Sequence, residues 1–335
     1  MLTMLTFIAS PAEAGHSVRG RLWKASPALT AAGLLMLPLL ALFGAGLWLD
    51  PRLVTGAPAW LKPAKFAASI AIYTLTLAWI FTYLPAWVRT RRIVGRITAA
   101  VLVLEIAVIA AQAWRGVGSH FNVATPLDGA LFNVMGAAIM VQTLASIWVA
   151  AALWRQAFED RALGWALRLG LTFTIVGAAS GGLMAPPTEA QLAAARSGQA
   201  LIVSGAHTVG AADGGPGLPG TGWSLEHGDL RVPHFVGLHA VQALAVLALL
   251  LPAAWAAERR VRLALAGAAS YAALFVLLLT AALRGEPLAA PSMGTATALG
   301  AWALISAGLA WWLGASSRYP RTSGSLSRQI TLSMK

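Results

Sequence analysis

The sequence predicts an all-α fold, a polytopic membrane helical bundle of about eight transmembrane helices with both termini cytoplasmic. Three observations predict it. Of 335 residues, 58% are hydrophobic and only 11% are charged, whereas a soluble domain carries about 25% charged residues. That is too little charge to cover a water-soluble globule of this size. The apolar residues also fall in continuous runs of the ~20 residues that a helix needs to cross the hydrocarbon core, not in the alternating runs of a membrane β-strand. Finally, the 24 Lys and Arg, against 12 Asp and Glu, sort to alternate connections between those runs.

Taken in order, the spans are Leu29–Leu49, Phe66–Trp87, Ile97–Trp114, Ala130–Leu153, Leu167–Ala185, Val236–Ala254, Val261–Ala282 and Thr295–Gly314. The first is too long and starts too late for a cleavable signal peptide. The expected organisation is a cytoplasmic N-terminal segment (1–27), a transmembrane helical domain (28–314) with an external loop or cap at about 186–235, and a disordered cytoplasmic tail (315–335). With the N-terminus inside, every inside connection and end carries at least three Lys or Arg, from Arg19, Arg21 and Lys24 to the tail, as the positive-inside rule requires. Trp48, Trp60 and Trp114 then fall at the outer interface, and Trp87, Trp154 and Trp311 at the inner one, the levels that indole rings favour. The net charge of +12 is therefore topological, and no nucleic-acid partner is expected. The partner is the lipid bilayer, and the location is the cytoplasmic (inner) membrane if the source is bacterial. Cys is absent, which excludes disulfides, thiolate metal sites and a cysteine nucleophile.

The connection after the fifth span is the one long loop. Thr188 and Gln191 match a capping box, which predicts a short helix. The run Ala211–Gly222 is rich in Gly and Pro and predicts turns. Leu201-Ile202-Val203 and Trp223 supply apolar groups to pack, so the loop is expected to be an ordered cap over the bundle. Within the fifth span, Gly177 and Gly181, like Ala178 and Gly182, are four apart, a spacing that lets membrane helices approach closely.

Polar residues inside or beside the spans mark the candidate site. Glu105 is the one acid within a span, and an intramembrane acid is a functional candidate by default. Five of the six histidines lie at the outer side, and imidazole suits Zn, Cu, Fe and haem iron. His120, His234 and His239 are the expected metal ligands, with His207 or His227 next. Glu105, Arg115 and Asp229 are the expected catalytic groups. The expected ligand-binding residues are Gln112, Asn122, Asn133, Arg231 and Gln242, together with Lys62, Lys65 and Tyr73. Gln142 follows Asn133 on the fourth span. Lys65, Ser69 and Tyr73 recur every four residues, hence on one helix face, and two Lys at an outer helix start favour an anion.

These features predict a metal- or haem-dependent membrane enzyme or redox protein with its site at the outer face. Two other classes fit the same residues. One is a proton-coupled transporter of a small polar or anionic solute, with Glu105 carrying the proton; the other is a non-catalytic membrane subunit. Broken helices and repeat symmetry, the marks of many transporters, are not visible in the sequence. No G-x-S-x-G, phosphate-binding loop or H-E-x-x-H motif is present, which removes the corresponding hydrolase, nucleotide and zinc-protease readings.

Overall fold

The computed structural model describes residues 17–315. The expected disordered tail lies, after Ala315, outside the described residues, as does most of the N-terminal segment. Seven helices are long and apolar enough to cross a membrane, and a bent pair makes an eighth span if its halves count as one. The all-α membrane bundle is therefore what the chain forms.

Helix α1 (Val18–Ala25) starts at Ser17 and ends at Ser26, which in turn caps α2 (Pro27–Leu49) with Pro27 in its first turn. A hairpin of β1 (Leu53–Val54) and β2 (Ala57–Pro58) leads into α3 (Leu61–Thr82). This helix starts five residues before the expected Phe66. It stops before Leu84-Pro85, because the residue preceding a proline disfavours helical geometry. Next come α4 (Val88–Arg115), α5 (Pro126–Arg155) and α6 (Arg161–Ser180), the last followed by a 3-10 turn. In the long loop α7 (Glu189–Arg196) has the predicted capping box, and β3 (Thr208–Val209) pairs antiparallel with β4 (Gly228–Asp229). The chain then re-enters the bundle as α8 (Arg231–Leu238) and α9 (Ala240–Leu250), and finishes with α10 (Ala257–Leu283) and α11 (Met293–Ala315).

The sixth span departs from expectation. It is not one helix: α8 and α9 meet at His239 with a bend of 47°. Backbone groups freed at such a break must find partners within the protein, since lipid supplies none. Thr174 of α6 provides two, because its Oγ1 donates to Leu238 O (3.3 Å) and accepts from Val241 N (3.2 Å). Tyr271 of α10 donates its hydroxyl to Val236 O at 2.6 Å. The helices come this close because Gly177 of α6 faces Gly237 of α8, and a Cβ on Gly177 would lie 2.4 Å from the Gly237 Cα. The small-residue spacing at Gly177 and Gly181 thus serves close approach, as expected. Gly182, of the second pair, meets nothing.

The two ends of the bundle differ. At one end Phe81, Leu84, Val149, Leu153 and Leu167 form a dry core against which Leu22 and Ala25 of α1 pack. Salt bridges Arg260–Asp160 (2.7 Å) and Arg161–Glu258 (2.9 Å) lie beyond it. The C-terminal turn of α11 is at this end too, where Arg259 donates to Gly314 O. At the other end the long loop forms a roof. Phe121, Met184, Leu230 and Ala282 make a small core beneath it, and Gln191 clamps both backbone groups of Gly205. Trp223 packs on Phe235. The Leu201–Val203 side chains stay exposed, contrary to expectation. This stretch is held through backbone bonds, Val123 N to Ile202 O and Ser204 N to Phe121 O.

Candidate functional site

Beneath the roof lies a cleft of about 3030 Å³ whose walls come from α3, α4, α5, α6, α8 and the long loop. Its lining combines apolar helix faces with a cluster of cationic and imidazole side chains near the roof.

The cations enter from two elements. Lys65, on the second turn of α3, donates to Thr221 O of the roof at 2.5 Å. Lys62, one turn earlier, has no hydrogen bond or ion pair among the described residues; its ammonium stands 5.9 Å over the Phe66 ring. Arg231 begins α8 and is held by Asp229, with Nε 2.9 Å from Oδ1 and Nη2 2.5 Å from Oδ2, while Nη2 also donates to Gly222 O. Asp229 additionally accepts Ser224 N. Buried and saturated in this way, Asp229 orients Arg231 rather than facing a substrate.

Two imidazole–carboxylate pairs face the same cleft. His120 follows the turn after α4, with Nδ1 3.2 Å from Ser119 Oγ and Nε2 3.4 Å from Glu105 Oε1. Glu105 is buried in α4, and its Oε2 has no hydrogen-bond partner. His207 Nδ1 lies 2.5 Å from Asp213 Oδ2, and Asp213 also accepts the amides of His207 and Thr208. Burial would raise the Asp213 carboxyl, but the bonds from His207 and these amides prevail and hold it below the ordinary carboxylate range. Burial lowers His207 despite Asp213. It also pushes His120 well below the ordinary histidine value, helped by the positive charge of Lys62. Neutral imidazole beside ionised Asp213 is therefore the resting form. His207 then gives Nδ1–H to the carboxylate and has no partner at Nε2 among the described residues.

His234 accompanies them. Its Nδ1 bonds Gly177 O at 2.7 Å, and its ring rests over Gly181, where a Cβ would come within 2.8 Å. His120, His207 and His234 are close enough for charge on one to affect the next. His239, at the helix break, also lines the cleft and is near enough to act on His234, with its ring 4.4 Å from that of Phe235.

The remaining expected residues divide. Arg115 and Gln112 both bond Asp128 (2.7 and 2.9 Å), tying α4 to the start of α5. Asn122 shapes its own loop, donating to Gly118 O and accepting Ala124 N. Asn133 is exposed and Gln242 is on α9; neither lines the cleft. Tyr73 does line it, deep between the helices, where its hydroxyl meets Ser146 Oγ (3.2 Å) and accepts from Gln142 Nε2 (3.3 Å). Asp213 and Ser146 were not among the expected site residues. The hint for Asp213 was an acid six residues after His207 in a glycine-rich loop. Ser146 lies four residues after Gln142, on the same helix face.

Among the described residues no group of three or more His, Asp and Glu side chains is placed to hold a metal ion. His120, His234 and His239 do not converge as a ligand set. No family model, curated protein or solved structure matches this chain.

Proposed function

We propose that this multi-pass membrane protein binds an anionic ligand in the roofed cleft and exchanges a proton with it, as an acid–base membrane enzyme acting at the outer face. The observation that carries this reading is Lys62, an amine with no hydrogen bond or ion pair among the described residues, sharing the cleft with two imidazole–carboxylate pairs. A lone amine in a cleft either sheds its proton or is held as a cation by an anion that completes it. His207 has the arrangement of a general base: a carboxylate fixes Nδ1–H, so that Nε2 accepts a proton. His120 and Glu105 form a second proton-holding pair. Arg231, oriented by Asp229, and Lys65 add positive charge beside the ligand. The sealed end carries the basic connections and is assigned to the cytoplasm.

Titration calorimetry with inorganic phosphate and butyrate, in buffers of different ionisation enthalpy, tests this. Binding is expected to take up or release a proton in the wild type. Lys62→Gln should lose at least tenfold in affinity, and His207→Gln should keep affinity but lose the proton exchange. Unchanged affinity in Lys62→Gln would remove the anion reading.

One observation favours a second reading, a proton-coupled carrier. The broken α8–α9 helix borders a cleft that lies beneath the roof and is sealed at the far end, and carriers place interrupted helices at their binding sites. Uptake of a labelled ligand into proteoliposomes, abolished in Glu105→Gln, would select it over the enzyme.

A further inference from the structure

The cleft does not stop at the cationic cluster. It continues between α3 and α5 past Phe66, Ile70, Met135 and Ile139 and ends at Tyr73, Gln142 and Ser146. Lys65 and Tyr73 are eight residues apart on α3, so the two polar regions are ~12 Å apart along the helix, with an apolar passage between them. Gln142 is 7% exposed, and its Oε1 has no hydrogen-bond partner although its Nε2 has two, Tyr73 Oη and Ser146 Oγ. A buried acceptor left unpaired is costly. The Gln142 side chain lines the deep end of the cleft. At the same depth the walls include Ile72 of α3 and Met140 of α5, which are 48% and 63% exposed. Both are apolar side chains with free surface at the depth of Tyr73 and Gln142.

Resting on the anion reading above, we infer that the ligand is an elongated amphiphile taken from the bilayer. Its anionic head meets Lys62, its apolar middle lies along Phe66 and Ile139, and a hydroxyl or amide N–H ~16 Å deeper along α3 donates to Gln142 Oε1. Each part has a complementary surface. Lys62 has no ion pair among the described residues, the passage is mainly apolar with Ser69 as its polar exception, and Gln142 Oε1 lacks a donor. A short, fully water-soluble anion held at Lys62 would leave Gln142 unsatisfied.

The experiment compares dodecanoate with ω-hydroxydodecanoate, binding to the full chain in nanodiscs and followed by tryptophan fluorescence. The ω-hydroxy acid is expected to bind about fivefold to tenfold tighter, the worth of one net hydrogen bond. Gln142→Met should erase that preference without weakening dodecanoate itself. Tyr73→Phe, which only removes a hydroxyl orienting Gln142, should reduce the preference and serves if Gln142→Met does not fold. Lys62→Gln should weaken both acids alike. Equal binding of the two acids by wild-type protein would overturn the deep subsite even if Lys62→Gln still weakens both. Loss of any Lys62 dependence would overturn the anion reading and this inference with it. Butyrate binding as tightly as dodecanoate would also overturn it, because the apolar passage would then contribute nothing.

Discussion

At the sealed end α3, α5 and α6 meet through Phe81, Val149, Leu153 and Leu167, all essentially without exposed surface. At the roofed end the same helices face one another across open space, with Lys65, Gln142 and Thr174 in the walls. The apolar end is packed by side chains of the helices themselves. The polar end is held apart and covered by a loop that is tied down through backbone bonds and a small core of its own. The contrast separates two tasks. Dispersion contacts in a dry, dense core hold helices together where lipid is the solvent. A chamber that binds something must withhold such contacts, and it depends on its roof for shape. Perturbing each end should therefore move different observables.

The largest effect is expected at the sealed end. Phe81 has no exposed surface and sits amid the core that joins α3, α5 and α6. Phe81→Ala should destabilise the folded protein by about 3 kcal/mol, read as a lowered unfolding midpoint in mixed detergent. Ligand affinity in the surviving folded fraction should be unchanged. A loss of affinity at constant stability would show that the two ends are coupled and break the division.

A smaller but more telling effect is expected where the ends join. Gly177→Leu places side-chain atoms where Gly237 already stands. Overpacking of this kind costs about 1–3 kcal/mol. It also pushes α8 from α6, and His234, whose Nδ1 bonds the Gly177 carbonyl, moves with it. Gly177→Leu should thus lower both the unfolding midpoint and anion affinity, unlike Phe81→Ala. Retained affinity would show that the α6–α8 contact is structural alone.

These residues also show how far the sequence carries. The helices were legible because ~20 continuous apolar residues admit little else in a bilayer, and Thr188 with Gln191 announced α7 by local chemistry. The break at His239 was not legible. No glycine or proline occupies it; what sustains it is Thr174, Tyr271 and Gly177, all distant in sequence. Lys62, Lys65, Tyr73, Glu105, His120, Arg231 and His234 do line one cleft; all but Tyr73, which lies deeper, sit at the roofed end or in the roof-side half of a helix. Asn133 does not, although Met140, seven residues on and on nearly the same face of α5, does. The His207–Asp213 pair depends on how a glycine-rich loop closes, which spacing alone does not reveal. Asp229 looked catalytic because acids beside histidines often are, but its bonds to Arg231 and Ser224 occupy it.

The smallest effect is expected in the roof, and it is local. Asp213 joins His207 Nδ1 with the amides of His207 and Thr208, and both titrating groups are shifted below their ordinary values in the closed loop. An opened loop therefore binds protons more readily than the closed one. The contribution of His207 is complete above its ordinary pKa of about 6.5 and lost as pH falls below it. The contribution of Asp213 is complete above its ordinary value of about 3.9 and is lost only at still lower pH. Hydrogen exchange at the His207 and Thr208 amides should accordingly accelerate in two steps as the solution is acidified, after correction for the intrinsic pH dependence of exchange. In Asp213→Asn, which replaces a charged acceptor by a neutral one, these amides should exchange about tenfold faster already at neutral pH. The step at carboxylate pH should disappear, while the unfolding midpoint of the bundle stays put. Should the midpoint fall together with amide protection, the roof would be part of the same cooperative unit as the sealed core, and the separation between a packing end and a binding end would not hold.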